Sequence, residues 1–489
     1  MKTDTARSGG RDRLLDALRS VAVVRVVLWH TWSWPWLSWV PAMPAMFFSS
    51  GALLESSIAR HGWWSTLRSR ARRLLIPYWV YAAFCWLAMI ATGWRPRLLD
   101  LVAWVLPLTD PTGSEALPGL WIPLWYIRAY IWFVIVSGLL RRLESRWGMW
   151  TVMGSSAVAA AMWGYMYSGH SLPLAVSDAF GYLPFVLAGM VYRRRGDVGG
   201  AKVLKYLAVA AGGLAVITWR LFGPADGVVN RSYLLMLLVG TSGIAAALAF
   251  RPAILGALDE SHVADRVVER INSRALTVYL WQGFGLVAAD RVVAGRVDNR
   301  AAWAVLSIVI VAAVVVVAAF VFGPVEDFAA RRVRFGELWS VHGPRTTPVT
   351  ARASRFALGS GLLVVVVISL WLPLPSGHAT NAPLSGNAVV ARAGLVERDL
   401  SAGKGTTKAV DNGRTPQEVL AKWLKSSREE LSVLDLNRVD VLLAKPDGSI
   451  LEAHWGEHSD EPLFWWSMTK TVTAAWMMRL VEAGTVSLK

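Results

Sequence analysis

Apolar runs of about 20 residues recur along the first three quarters of the chain, each bounded by a short polar segment. A helix of that length crosses a bilayer, whose hydrocarbon core is roughly 30 Å thick. We therefore predict ten membrane-spanning helices with an eleventh after them. They lie near residues 18–40, 42–59, 74–94, 120–140, 149–166, 177–192, 203–222, 232–250, 275–292, 302–322 and 356–373.

The polar segments between these runs differ in charge, and every second one is rich in Arg. The basic segments are 60–73, 141–146, 193–205, 251–274 and 331–355. Loops on the cytoplasmic side of a cell membrane carry an excess of Lys and Arg. The pattern therefore predicts a multi-pass protein of the cell membrane with a cytoplasmic N-terminus and an extracytoplasmic C-terminal tail.

Composition agrees with this prediction, because 54% of the 489 residues are hydrophobic and only 17% are charged. The predicted fold class is an all-α polytopic membrane protein, a bundle of about ten helices plus an eleventh helix and a short α/β tail. Residues 1–373 carry 37 Lys and Arg against 20 Asp and Glu. Because these charges lie in short loops, we expect no nucleic-acid partner. The lone Cys85 excludes an internal disulfide and a Cys-based metal site, and we expect no metal.

Two titratable residues of the first predicted span, Arg19 and His30, share one helical face. They are eleven positions apart, which is close to three helical turns and about 16 Å along the axis. His30 is then expected near the middle of the membrane, where an ionisable group is expensive and indicates function. A neutral imidazole there can act as a general base. The alternatives are a structural histidine and an Arg19 that anchors the helix at the lipid headgroups.

Arg25, in the same span, lies about 140° around the helix from His30 and must face another neighbour. The sequence offers three partners for it: the carboxylates of Glu55 and Asp178, or a phosphate of a bound donor. The sequence alone does not show which of these three is the partner of Arg25.

The Arg-x10-His pattern resembles the acyltransferase 3 family of integral membrane acyltransferases. The resemblance extends over roughly residues 11–328, and in the last matching segment Gln282 stands where a histidine is expected. Since that departure leaves the position without an expected role, we assign packing roles to Tyr279 and Gln282. The matching segments are MFFSSGALLESS (46–57), RSRARRLLIPYW (68–79), LWYIRAYIWF (124–133), YLPFVLAGMVYRRR (182–195) and SRALTVYLWQ (273–282).

This resemblance implies that His30 is the catalytic histidine and Arg19 its essential partner. It also favours Arg70 and Arg73 in the basic loop as ligands of the donor's phosphates, since arginine forks match phosphate geometry. Neighbouring Arg72 and the intramembrane Arg128 are further candidates. For the loop, the alternative is that its arginines only set the membrane topology and contact anionic lipid. For Arg128, the alternative is a structural ion pair.

The function expected from the resemblance is O-acyl transfer from a cytoplasmic acyl-CoA to a hydroxyl of an extracytoplasmic or lipid-linked carbohydrate. We expect acetyl-CoA as the donor substrate, a glycan or glycolipid as the acceptor, and membrane lipids as partners. A transporter or flippase is a different hypothesis, which would require substrate uptake without an acyl donor.

The C-terminal tail carries a second candidate chemistry. RVDVLLAKPDGSILEAHWGE (438–457) predicts two strands joined by a Pro-Asp-Gly turn. A helix with Ser467 and Lys470 in S-x-x-K spacing follows, which resembles the start of a serine β-lactamase or penicillin-binding domain. Later parts of that fold do not follow in the chain, so we expect this segment to be inactive here. The alternative function is a membrane-anchored serine hydrolase.

The predicted domain division has five parts. They are a membrane acyltransferase domain (11–328), a cytoplasmic basic loop (329–355), an extra transmembrane helix (356–373), an extracytoplasmic linker (374–430) and a hydrolase-like segment (431–489).

Overall fold

The computed structural model describes residues 12–332, apart from 115, 197–199, 225, 294–295 and 298, together with two strands at 438–444 and 450–456. The described residues form thirteen α-helices. Their bounds are α1 Arg13–Trp32, α2 Ala42–His61, α3 Trp63–Ala91, α4 Leu98–Val105, α5 Trp125–Trp147, α6 Met149–Tyr167, α7 Leu174–Arg195, α8 Ala201–Phe222, α9 Tyr233–Ala249, α10 Arg251–Glu260, α11 His262–Ser273, α12 Ala275–Val293 and α13 Arg300–Ala329. Single 3-10 turns lie at Pro35–Trp39, Pro118–Leu120, Ile122–Leu124 and Val229–Arg231.

All ten apolar runs predicted between residues 18 and 322 contain a helix, which confirms an all-α polytopic membrane fold. Six helical segments of the described chain are long and apolar enough to cross a membrane by themselves. A seventh results if α9 and α10, which meet at a bend of 62°, count as one broken span. The six segments are Pro35–His61, Trp63–Ala91, Pro118–Trp147, Leu174–Arg195, Ala201–Phe222 and Arg300–Ala329.

The structure corrects two predicted loops. The basic segment before residue 74 belongs to α3, which begins at Trp63 directly after Gly62 with φ of 75°. Arg, Leu and Ala are strong helix formers, so the segment continues the helix that the apolar run begins. Residues 251–273 likewise form α10 and α11 rather than a loop.

The centre of the bundle is the contact between α2 and α7, where two glycines allow the backbones to approach closely. A Cβ on Gly51 would overlap the carbonyl oxygen of Val186, and one on Gly189 would overlap the carbonyl oxygen of Phe48. Small residues commonly allow such close packing between membrane helices. The core around this contact includes Phe47, which stacks on Tyr182 at 4.6 Å between ring centroids.

Ion pairs and hydrogen bonds join the C-terminal ends of α2, α5 and α7 at one end of the bundle. Arg141 contacts Glu55 at 3.0 Å, and Arg194 contacts Glu144 at 2.5 Å. The Arg193 side chain also donates to the Ser56 hydroxyl at 2.5 Å. We call this the basic end of the bundle, and α3 begins there because Gly62 alone separates it from α2.

The segment between α3 and α5 is held by a carboxylate at the start of α4. Asp100 accepts the backbone N–H of Arg97 at 2.9 Å and the hydroxyl of Thr112 at 2.8 Å. The Arg97 guanidinium also donates to Asp100 at 3.2 Å. These donors, of which the Arg97 side chain has the largest effect, stabilise the charged carboxylate. They lower the pKa of Asp100 to about 2. The contact is at the surface, since the Arg97 side chain is 82% exposed.

The two strands belong to a separate unit of the chain, Leu384–Lys489. β1 (Arg438–Ala444) pairs antiparallel with β2 (Ile450–Gly456), with Ala444 opposite Ile450. This pairing confirms the two strands predicted from their alternating pattern. The Pro-Asp-Gly turn between them, the predicted eleventh helix and the linker lie outside the described residues.

Candidate functional site

His30 lies in the last turn of α1, which ends eight residues earlier than the predicted span. Ser33 adopts a left-handed conformation with φ of 50°, and its N–H bonds the carbonyl of Trp29. Pro35 disfavours helical geometry at the residue before it, which explains why the apolar pattern does not continue as helix. His30 therefore lies close to the end of α1 and not in the middle of a helix over the whole predicted span. Its position near the middle of the membrane stays a prediction.

The imidazole of His30 contacts a buried amide. Its Nδ1 lies 3.3 Å from Oε1 of Gln282 on α12, and Gln282 is fully buried. The amide nitrogen of Gln282 donates to the carbonyl of Tyr279 at 2.9 Å. Tyr279 in turn donates its hydroxyl to the carbonyl of Pro123. Both residues are buried in the bundle, as a packing role requires, and each also makes a hydrogen bond.

Arg19 faces the interior of the bundle, as the shared face with His30 requires. It is partly buried, and its charge interacts with the hydroxyl of Tyr126, a residue of α5 that is only 7% exposed. No carboxylate of the described residues pairs with Arg19 within 4 Å. A cation inside a helical bundle without a carboxylate partner is a position at which an anionic ligand is favourable.

Arg25 is buried, with 5% exposure, and has neither of the carboxylate partners considered from the sequence. Its Nε donates to the carbonyl of Leu37 at 2.8 Å, and its guanidinium lies 5.2 Å from the ring centroid of Trp29. The two carboxylates are used elsewhere, Glu55 by Arg141 and Asp178 by Arg128. The carboxylate partners proposed for Arg25 are therefore wrong.

The three candidate donor ligands of the basic segment, Arg70, Arg72 and Arg73, lie on α3 with further cations near them. Arg70 donates to the carbonyl of Leu53 at 3.3 Å, which leaves the rest of its guanidinium available. Arg73 is exposed and interacts electrostatically with Arg70, Arg72 and Arg332. Arg331, directly after α13, interacts in the same way with Arg72. The structure therefore concentrates positive charge where α3 passes the end of α13.

Three tyrosines connect this positive region with the histidine. Arg73 interacts electrostatically with Tyr130, whose ring stacks on that of Tyr126 at 6.1 Å between centroids. Tyr126 makes an edge-to-face contact with Tyr279 at 5.3 Å, and Tyr279 lies one turn before Gln282. We call Tyr130, Tyr126 and Tyr279 the tyrosine column. Sequence reasoning missed it, because its members come from two helices far apart in the chain.

Arg128 on α5 is almost fully buried, with 1% exposure, and both sides of its guanidinium are occupied. Its Nε contacts Asp110 at 2.6 Å and its Nη2 contacts Asp178 at 2.6 Å. Tyr233 adds a hydrogen bond to Asp178 at 2.9 Å. These contacts favour the structural alternative over donor binding. Ser467 and Lys470 lie outside the described residues, and the hydrolase hypothesis stays a prediction.

Together these features define a multi-pass membrane protein with a histidine, a buried amide and several arginines directed into its helical bundle. The acyltransferase 3 family model, described as an acyltransferase domain, matches residues 12–322. The chain therefore belongs to the acyltransferase 3 family, and the protein is a membrane acyltransferase. No curated protein matches the chain, and no solved structure matches it either.

Proposed function

We propose that this membrane acyltransferase moves an acyl group from cytoplasmic acyl-CoA, with acetyl-CoA as the expected donor, to a hydroxyl of an extracytoplasmic or lipid-linked carbohydrate. One observation carries the proposal: Arg19 and His30 share the interior face of α1, where His30 contacts Gln282 and Arg19 interacts with Tyr126. A base and a cation that has no carboxylate partner among the described residues thus lie along one line inside the bundle.

The chemistry assigned to His30 is general base catalysis. The acceptor hydroxyl oxygen attacks the carbonyl carbon of the thioester while the imidazole takes the hydroxyl proton. The tetrahedral intermediate then collapses, the carbon–sulfur bond breaks, and the imidazolium returns the proton to the departing thiolate. The products are the acyl ester and free coenzyme A, and His30 ends in its starting state.

The donor is assigned to the arginines of α3 and to Arg19. Arg70, Arg73 and Arg72 would bind the phosphates of the nucleotide end with charge-assisted hydrogen bonds. Arg19 lies about 16 Å from His30 along α1, so the two side chains cannot contact the same atom of the donor. We therefore assign Arg19 to the pyrophosphate side of the donor, with the pantetheine arm extending past the tyrosine column toward His30.

The orientation of the protein is part of the proposal. Acyl-CoA is made in the cytoplasm, and the concentration of Arg on α3 and after α13 suits the cytoplasmic side of a cell membrane. The N-terminus would then be cytoplasmic and the C-terminal unit extracytoplasmic. The other end of α1, where His30 lies, would face an acceptor on the outer side.

The test combines product analysis with one variant. Mass spectrometry of envelope glycans and lipids, from cells with and without the protein, should show the loss of one acyl mass when the protein is absent. His30→Ala should abolish the transfer and leave the amount of folded protein unchanged. A folded His30→Ala protein that keeps full activity would remove His30 as the base.

Donor binding has its own test with purified protein. Arg73→Gln and Arg70→Gln should each raise the KM for acyl-CoA about 10- to 100-fold, since a hydrogen bond to a charged group is worth roughly 1.5–3 kcal/mol. Arg60→Gln is the matched control, because Arg60 is exposed and bonds only the Ser56 carbonyl of its own helix among the described contacts. An unchanged KM in both α3 variants would contradict the donor assignment.

A further inference from the structure

The hydrogen-bond partners of Gln282 determine which way its amide points. The amide NH2 group donates to the Tyr279 carbonyl at 2.9 Å, and this carbonyl can only accept. The amide oxygen therefore faces Nδ1 of His30, 3.3 Å away, which is slightly longer than a usual N–H···O hydrogen bond. Because an amide oxygen has no proton to give, Nδ1 must be the ring nitrogen that carries the hydrogen.

A histidine that is protonated at Nδ1 and neutral has its lone pair on Nε2. The hydrogen bond made by one ring nitrogen decides which nitrogen is available as a base. We propose that Gln282 is a positioning residue that holds His30 in the Nδ1–H tautomer, with Nε2 as the nitrogen that receives the acceptor's proton. The inference rests on the proposed role of His30 as general base.

The surroundings of Gln282 hold the amide in place. Tyr279, one turn earlier on α12, donates to the Pro123 carbonyl and ties α12 to the segment before α5. A Cβ on Gly283 would lie 2.7 Å from the carbonyl oxygen of Gly119, so the backbone of α12 packs directly against that segment. These contacts hold the backbone of α12 beside His30, and the hydrogen bond to the Tyr279 carbonyl orients the amide oxygen toward Nδ1.

A neutral amide suits this position better than a carboxylate in an unliganded bundle. Gln282 is fully buried, where a charged side chain would carry a large desolvation cost. When His30 takes a proton, the amide oxygen still accepts from Nδ1–H and stabilises the cation. Gln282 therefore supports both states of the imidazole without a permanent buried charge.

The functional test compares two substitutions of similar length. Gln282→Met removes the acceptor and should lower kcat about 10- to 100-fold with little change in either KM, the usual cost of losing a group that orients an active residue. Gln282→Glu, as the neutral carboxylic acid, can still donate to the Tyr279 carbonyl and accept from Nδ1–H, and should recover most of the lost kcat. Thr277→Val is the control, because it breaks another buried hydrogen bond of α12, to Glu326 at 2.7 Å, away from His30.

A spectroscopic test does not depend on turnover. In protein labelled with 15N-histidine, the His30 signals are assigned by their absence in His30→Ala. The wild type should show a protonated Nδ1 and an unprotonated Nε2, and Gln282→Met should shift the population toward the other tautomer. A wild-type Nε2–H tautomer, or a Gln282→Met protein with wild-type kcat, would overturn the inference. Neither result would change the outcome expected for His30→Ala, which tests the proposed role of His30 separately.

Discussion

Removing the buried guanidinium of Arg128 tests whether this residue holds the bundle together or binds the donor. Arg128→Met keeps the length and apolar stem of the side chain but leaves Asp178 without its cation. Arg128 is 1% exposed and Asp178 13% exposed, so water replaces little of the lost contact. Breaking one side of a buried ion pair typically costs about 3–5 kcal/mol.

The structure places the expected cost at the low end of that range. Tyr233 still donates to Asp178 in the variant, and Asp110 is 39% exposed and therefore largely screened by water. We expect Arg128→Met to lower the free energy of unfolding by about 3 kcal/mol. The double variant Arg128→Met with Asp178→Asn removes the orphaned charge and should recover part of this loss, as a double-mutant cycle would show.

The assay is unfolding by sodium dodecyl sulfate in mixed micelles, with the KM for acyl-CoA measured beside it. Arg97→Met is the matched control, since this arginine makes a surface ion pair with Asp100 and should unfold like the wild type. An Arg128→Met protein that unfolds at the wild-type detergent concentration, but has a KM for acyl-CoA raised tenfold or more, would refute the structural interpretation. Arg128 would then belong with the donor ligands.

Two further predictions concern packing and pH. Gly189→Leu should greatly reduce the yield of folded protein, because the new side chain would meet the backbone of Phe48, which cannot move aside. The control is Gly213→Leu, which should express normally because no atom lies within 4 Å of a Cβ built at Gly213. Equal yields of the two variants would contradict the packing argument. The pKa of Asp100, lowered from 3.8 to about 2, means that its stabilising contribution is complete above pH 4 and is lost as the pH falls toward 2. Proteinase K should therefore cleave residues 97–112 of the wild type equally slowly at pH 7 and pH 4.5. It should cleave Asp100→Asn faster at both pH values. Faster cleavage of the wild type at pH 4.5 than at pH 7 would contradict the role of Asp100.

The apolar pattern predicted where the helices lie because burial in lipid demands long apolar runs, whatever the neighbours. It failed at the ends of helices. The basic start of α3 continues as helix because its residues favour helical geometry, although their charge made them look like a loop. The early end of α1 depends on the backbone conformation at Ser33 and Pro35. In the sequence this local signal is weaker than the apolar pattern of the surrounding Trp residues, which predicts a longer helix.

The site was predictable only where one helix contains the whole pattern. Arg19 and His30 share a face because the helical repeat alone places them there. The partner of His30 comes from α12, more than 250 positions later, so no local spacing indicates it. A polar amide inside an apolar segment was the available signal, since such groups in membranes usually have a specific role. Arg25 could not be assigned either, because Asp178 and Glu55 were already used by other arginines.

The tyrosine column also bears on the electrical insulation of the cell. A continuous water-filled passage through a bilayer would let protons and ions leak and would dissipate the membrane potential. The contacts between Tyr130 and Tyr126, and between Tyr126 and Tyr279, place packed aromatic rings where water would otherwise have room. On the proposed route of the donor, its acyl arm would reach His30 only when these rings turn aside, and their return would restore the insulation.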